Sequence, residues 1–166
     1  MSLLEELFQG ADLTALWNEN YNHSNEPCHN LTHYFNMLGA PARTQYWTRR
    51  VQKEAYRLGA FGFCGNEDVG QLSAWYVLSA LGLAQVCMGS SKFYFNTPLF
   101  RSAKLRLDSK YHACGISDRL LIECDRDPLE FPYIDRVLLN GEELHRHFIT
   151  YEEITNGGTL CFCLKK

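Results

Sequence analysis

Gly65-Asn66-Glu67-Asp68-Val69-Gly70-Gln71-Leu72-Ser73-Ala74-Trp75-Tyr76-Val77-Leu78-Ser79-Ala80-Leu81-Gly82 is the stretch on which the chain divides. Its polar opening and closing glycine delimit a helix from about Glu67 to Leu81. Val69, Leu72, Ala74, Trp75, Tyr76, Val77, Leu78, Ala80 and Leu81 leave it almost no polar face. A helix apolar nearly all round needs neighbours on most sides. The 166 residues offer few, which suggests that the chain is part of something larger.

Upstream the apolar period is helical. Leu31, Tyr34, Phe35 and Leu38 fall at i, i+3, i+4, i+7, and Gly39 ends that face. Pro41 opens a second helix with Tyr46 or Trp47, Arg50 or Val51, Ala55 and Leu58 inward, stopped by Gly59. Arg49, Arg50, Lys53 and Glu54 form its expected solvated side. Downstream of Gly89 the period is two. Lys104–Asp108 alternates, and Leu120, Ile122 and Cys124 share a face. Val137–Leu139 runs into Asn140-Gly141, a type I′ hairpin signal, with His145–Ile149 as the expected return strand. Asn156-Gly157-Gly158 makes another turn before Leu160, Phe162 and Leu164. The reading is α+β: helical hairpins over residues 1–88, then a small antiparallel β region over 89–166.

With 46% hydrophobic residues, the chain can bury a core and is not disordered. Sixteen basic against nineteen acidic residues leave no excess to neutralise phosphates, so nucleic acid is not an expected partner. No apolar run is long enough to span a membrane. Met1–Gly10 carries Glu5 and Glu6 without a basic start, so it is not a secretory signal. Met1-Ser2-Leu3 reads equally as a native start or a cloning scar, and the compartment stays open. Seven scattered cysteines (28, 64, 87, 114, 124, 161 and 163) argue against a disulfide framework. Most read as reduced core residues. A metal–thiol site on Cys161 and Cys163 ranks far below the other readings.

Two polar clusters precede helices: Tyr21-Asn22-His23-Ser24-Asn25-Glu26-Pro27-Cys28-His29-Asn30, and Gly65 to Gln71. Capping is the simple explanation, with Asp68 and Gln71 as a capping box and Ser24 or Asn25 capping the next helix. Each cluster, however, holds more polar groups than a cap needs. A carboxylate at a helix N-terminus favours its ionised form, suiting a base or a metal ligand rather than an acid. Oxygen donors Glu26, Asn66, Glu67 and Asp68 suit a hard cation such as Ca2+. His29 and His33 are a metal-capable i, i+4 pair, but His23, His29 and His33 read first as hydrogen-bonded, partly buried imidazoles. His145 and His147 read as exposed on one strand face. Two sequons, Asn22-His23-Ser24 and Asn30-Leu31-Thr32, matter only in a secreted, glycosylated chain.

Asn22 to His29, Gly39-Ala40-Pro41-Ala42-Arg43-Thr44-Gln45 and Gly65 to Gly82 together resemble glycoside hydrolase family 92, the calcium-dependent exo-α-mannosidases. The resemblance implies part of an (α/α)6 barrel for residues 1–88 and inverting hydrolysis of terminal α-mannose in a glycan. It implies Asp68 as general base, and Asn66, Glu67, Glu26 and His29 as substrate-binding residues. Glu26 and Asn25 are its implied Ca2+ ligands. The parent of such a segment is compatible with a secreted or periplasmic location. Two departures matter. The family usually has a second histidine where this chain has Asn30. Its general acid lies in an upstream motif, roughly Glu-Gly-Asn-x-Trp, that this sequence lacks. The chain therefore reads as the C-terminal part of such an enzyme, with little activity alone. Its apolar helix is then covered by the remaining N-terminal portion of the polypeptide or by self-association. The alternative is a non-catalytic carbohydrate-binding or structural module of the same descent.

Overall fold

The computed structural model describes residues 2–112 and 115–166, so Met1 and Cys114 lie outside the described residues. Among the described residues, five α-helices and eight strands fall into two blocks. The first holds α1 (Ser2–Gln9), α2 (Leu31–Met37), α3 (Pro41–Glu54) and α4 (Gln71–Ala80). Its core is Phe8, Leu13, Tyr21, Phe35, Trp47, Val51, Ala55 and Trp75. Phe8 is the hub, with its ring 4.3 Å from Tyr21 and 5.1 Å from Trp47 between centroids.

The second block is two sheets. Strands β1 (Leu83–Gln85), β2 (Lys92–Phe95) and β7 (Phe148–Thr150) make one, in the order β1-β2-β7. Strands β3 (Ser102–Arg106), β4 (Arg119–Cys124), β8 (Gly158–Lys165), β5 (Tyr133–Leu139) and β6 (Glu142–Glu143) make the other, in that order. All pairs are antiparallel except β4 with β8. Leu83, Phe95 and Ile149 meet Leu120, Ile122, Val137, Leu160, Phe162 and Leu164 in one shared core. Phe95 and Phe162 cross edge to face at 5.5 Å.

Several sequence expectations need correction. The inward side of α2 is Thr32, His33, Phe35 and Asn36, while Tyr34 and Leu38 are exposed. The polar residues are buried because they tie the helix to the sheet. His33 Nε2 meets Asn96 Oδ1 at 3.1 Å, and Asn36 Nδ2 donates to the Phe95 carbonyl at 2.8 Å. Similarly, Arg49 is not on a solvated face, because its Nη2 donates to the carbonyls of Pro98 and Pro128. The third correction is the hairpin. Asn140 and Gly141 both have positive φ, as type I′ requires, but the return strand is only Glu142–Glu143. The chain then leaves this sheet, and Phe148–Thr150 pairs with β2 in the other. Helix α5 (Tyr151–Asn156) follows at once, opened by a Thr150/Glu153 capping box visible in the sequence as Thr-x-x-Glu.

The six described cysteines are all free thiols, but only Cys124 is buried. Most are therefore half-covered rather than core. Among the described residues no group of three His, Cys, Asp or Glu side chains could hold a metal, which leaves Cys161 and Cys163 without a third ligand of those types. His145 and His147 are exposed, on the bend between β6 and β7 rather than on a strand.

Candidate functional site

The two polar clusters converge on one groove of about 530 Å³. Glu26, Pro27 and Asn30 reach it from the first cluster. Asp68, Val69 and Gln71 reach it from the second, with Ala74, Trp75 and Leu78 of α4 and Met88 as apolar wall. The expected long helix is broken to make this possible. A 3₁₀ turn over Asp68–Gly70 precedes α4, with Val69 at φ 53° and Gly70 at φ 80°. A β-branched residue in the left-handed region is strained, and Val69 is fully exposed with no packing to compensate. The kink sets Asp68 beside Glu26 instead of on the helix.

The capping expectation fails for the residues named in it. Gly70 is the N-cap of α4, and neither it nor Asn25 or Asn30 makes a side-chain cap bond. Glu67 takes the capping role, accepting from Ser73 N at 3.1 Å and Ser73 Oγ at 2.7 Å. Ser24 Oγ donates to the Leu16 carbonyl. Asp68 is thus released from local structure and faces Glu26, whose carboxyl is within hydrogen-bonding reach. That contact and the neighbouring negative charge raise the Asp68 carboxyl above its ordinary range. The second carboxylate thus opposes the ionised form that a helix N-terminus is expected to favour.

Behind the groove runs a buried polar relay. Tyr56 Oη donates to the Leu72 carbonyl at 3.0 Å, so it accepts from His23 Nε2 at 2.7 Å. His23 Nδ1 then accepts from Tyr21 Oη at 2.7 Å. His29 Nε2 donates to the His23 carbonyl at 2.8 Å, and Trp75 Nε1 donates to the His29 carbonyl at 3.1 Å. All three N-terminal histidines are almost fully buried, matching the hydrogen-bonded reading. Burial holds His23 and His29 below the ordinary imidazole value, and His33 down to about 4.

Of the residues singled out from sequence, the groove gathers Glu26 and Asp68. Asn25, Asn66, Glu67 and His29 lie outside its lining. Asn66 and Glu67 are exposed beside it, while His29 is 1% exposed beneath Gln71. The sequence pattern reads Gln71 as a cap partner and Trp75 as part of an apolar helix, and it does not single out Met88, because nothing in the local pattern signals a fold-back onto Glu26. For a hard cation, the donor type fits. Glu26 Oε1 is buried with no partner, and Asp68 adjoins it at the groove. The number of carboxylates falls short of a complete cage among the described residues.

The family model for the glycosyl hydrolase family 92 catalytic domain matches residues 1–166. An uncharacterized secreted glycosidase of Arthroderma benhamiae is 27% identical over 142 residues, covering 86% of this chain and 18% of the relative. A GH92 α-mannosidase of Bacteroides thetaiotaomicron, solved in complex with mannoimidazole, superposes with a TM-score of 0.85. It is 26% identical, covering 99% of this chain and 22% of that one. A GH92 inverting mannosidase of the same species gives a TM-score of 0.75 at 34% identity, covering 86% of this chain and 18% of that one. The chain therefore spans about a fifth of the length of these relatives.

Proposed function

Because the chain belongs to glycosyl hydrolase family 92, we propose that it is the C-terminal part of an inverting α-mannosidase and carries the base half of its active site. The observation that carries this reading is the pairing of Glu26 with Asp68 at an open groove, from sequence positions 42 apart. Neither carboxylate has a capping role to explain it.

Inverting hydrolysis needs a carboxylate that takes a proton from water as the water attacks the anomeric carbon. Asp68 is exposed to the groove and free to do this. Glu26, whose buried Oε1 has no partner, would help to hold Ca2+ beside Asp68. A bound calcium ion supplies positive charge that offsets the two carboxylates and attracts sugar hydroxyls. Trp75 and Leu78 provide apolar wall for the face of a pyranose ring. The proton donor to the leaving oxygen comes from outside this chain, in the missing N-terminal portion of the polypeptide. That same portion, or a second copy, covers the outward side of α4, where Ala74 and Val77 are exposed.

The test is turnover of an aryl α-mannoside. The chain alone should show none, and the same chain joined to its N-terminal portion should hydrolyse the substrate in the presence of calcium. Turnover by the isolated chain that disappears in Asp68→Asn contradicts the division into halves. An inactive full-length protein contradicts the α-mannosidase assignment itself.

A further inference from the structure

The groove holds one residue whose orientation the buried relay dictates. Gln71 stands at the first position of α4, half-buried, with its side chain in the groove. Its Nε2 lies 3.4 Å from His29 Nδ1. The opposite ring nitrogen, Nε2, faces the His23 carbonyl, which only accepts, so it must carry the proton. Nδ1 of this buried ring faces the Gln71 amide nitrogen and is placed as the acceptor. Only the amide nitrogen of Gln71 can satisfy it. The amide is thus fixed in one of its two flips, and Oε1 is left pointing away from the ring. The His23 carbonyl is itself held in place, because the His23 ring is clamped between Tyr21 and Tyr56 at 2.7 Å on each side.

We propose that Gln71 is a further substrate-contacting residue, presenting Oε1 as an acceptor to a sugar hydroxyl, and that His29 is its positioning residue. This rests on the reading of the groove as a sugar site and adds one specificity contact to it. It also changes the part expected of His29. At 1% exposure His29 does not meet the sugar, and it acts through the amide above it. A sugar hydroxyl both donates and accepts, and Glu26 and Asp68, when ionised, only accept. An amide with a fixed flip adds an uncharged acceptor and one remaining N–H at a defined place, which discriminates the position of a hydroxyl better than a freely flipping one.

Two readouts test it. In 15N spectra of the wild-type chain, His29 should be the neutral tautomer with the proton on Nε2 and none on Nδ1. In Gln71→Glu the donated N–H is replaced by an acceptor, and the Nδ1 resonance of His29 should shift as that hydrogen bond is lost. In calorimetric titration with mannoimidazole and calcium, Gln71→Ala and His29→Gln should each weaken binding about tenfold, the worth of one good hydrogen bond. The double variant should lose no more than either single one. A proton found on Nδ1 in the wild type overturns the positioning role. Unchanged affinity in Gln71→Ala, alongside loss in Glu26→Ala and Asp68→Ala, overturns the contact while leaving the sugar site standing. A folded wild-type chain that binds no mannoimidazole contradicts the sugar site and the Gln71 contact together. The tautomer spectrum then still decides the role of His29.

Discussion

Asp68→Asn in the full-length enzyme is expected to lower kcat on an aryl α-mannoside by about 10²–10⁴-fold, the usual worth of a positioned general base. The side chain keeps its shape and loses only its capacity to take a proton. KM should change less than kcat, because the amide keeps the shape and polarity of the carboxylate. Loss of activity through unfolding is not expected. Asp68 is exposed, makes no capping bond, and has its carboxyl raised by the Glu26 carboxyl beside it. Replacing it removes a like-charge contact, so thermal stability should hold or rise. A variant with kcat within a few-fold of wild type assigns the base elsewhere. A variant that melts well below wild type means that the carboxylate is structural.

Stability should fall by about 3 kcal/mol as pH drops from 6.5 to 4 through His33 alone. His33 is fully buried between Thr32 and Asn96, and its folded-state value lies at about 4 against an ordinary 6.5. Above 6.5 the ring is neutral in both states, and its contribution to stability is complete. Between 6.5 and 4 the unfolded chain takes up the proton and the folded chain does not, so each pH unit costs about 1.4 kcal/mol. Below 4 both states are protonated and the slope ends. Burial moves His23 and His29 in the same direction, which steepens the fall. Denaturant titrations across this range should show the slope, and His33→Gln should flatten it by about one proton. A wild-type stability that is level from pH 7 to 4 contradicts neutral burial of these rings.

Much of the architecture was legible because period and punctuation agree. β4 occupies Arg119–Cys124 as the alternation of Leu120, Ile122 and Cys124 indicates, and Asn140-Gly141 turns where the dipeptide places the turn. α2 and α3 start at Leu31 and Pro41 as expected. What escaped the pattern is long-range pairing. The parallel contact of β4 with β8, and the transfer of Phe148–Thr150 to β2, depend on partners far away in sequence. The inward face of α2 was misjudged for a related reason. Thr32, His33 and Asn36 are buried because Asn96 and the Phe95 carbonyl lie opposite to receive them, and hydrophobicity alone does not reveal that. In the site, motif resemblance pointed to Glu26 and Asp68. It did not reveal that the kink at Val69 places them together, or that Gln71 is held by His29.

The most direct measurement is calorimetric titration of this chain with mannoimidazole in calcium, with Glu26→Ala and Asp68→Ala in parallel and circular dichroism to confirm folding. The account expects wild-type binding that needs calcium and is lost in both variants, as the proposed half-site on these two carboxylates requires. A folded wild-type chain that does not bind, or variants that bind as the wild type does, would contradict it.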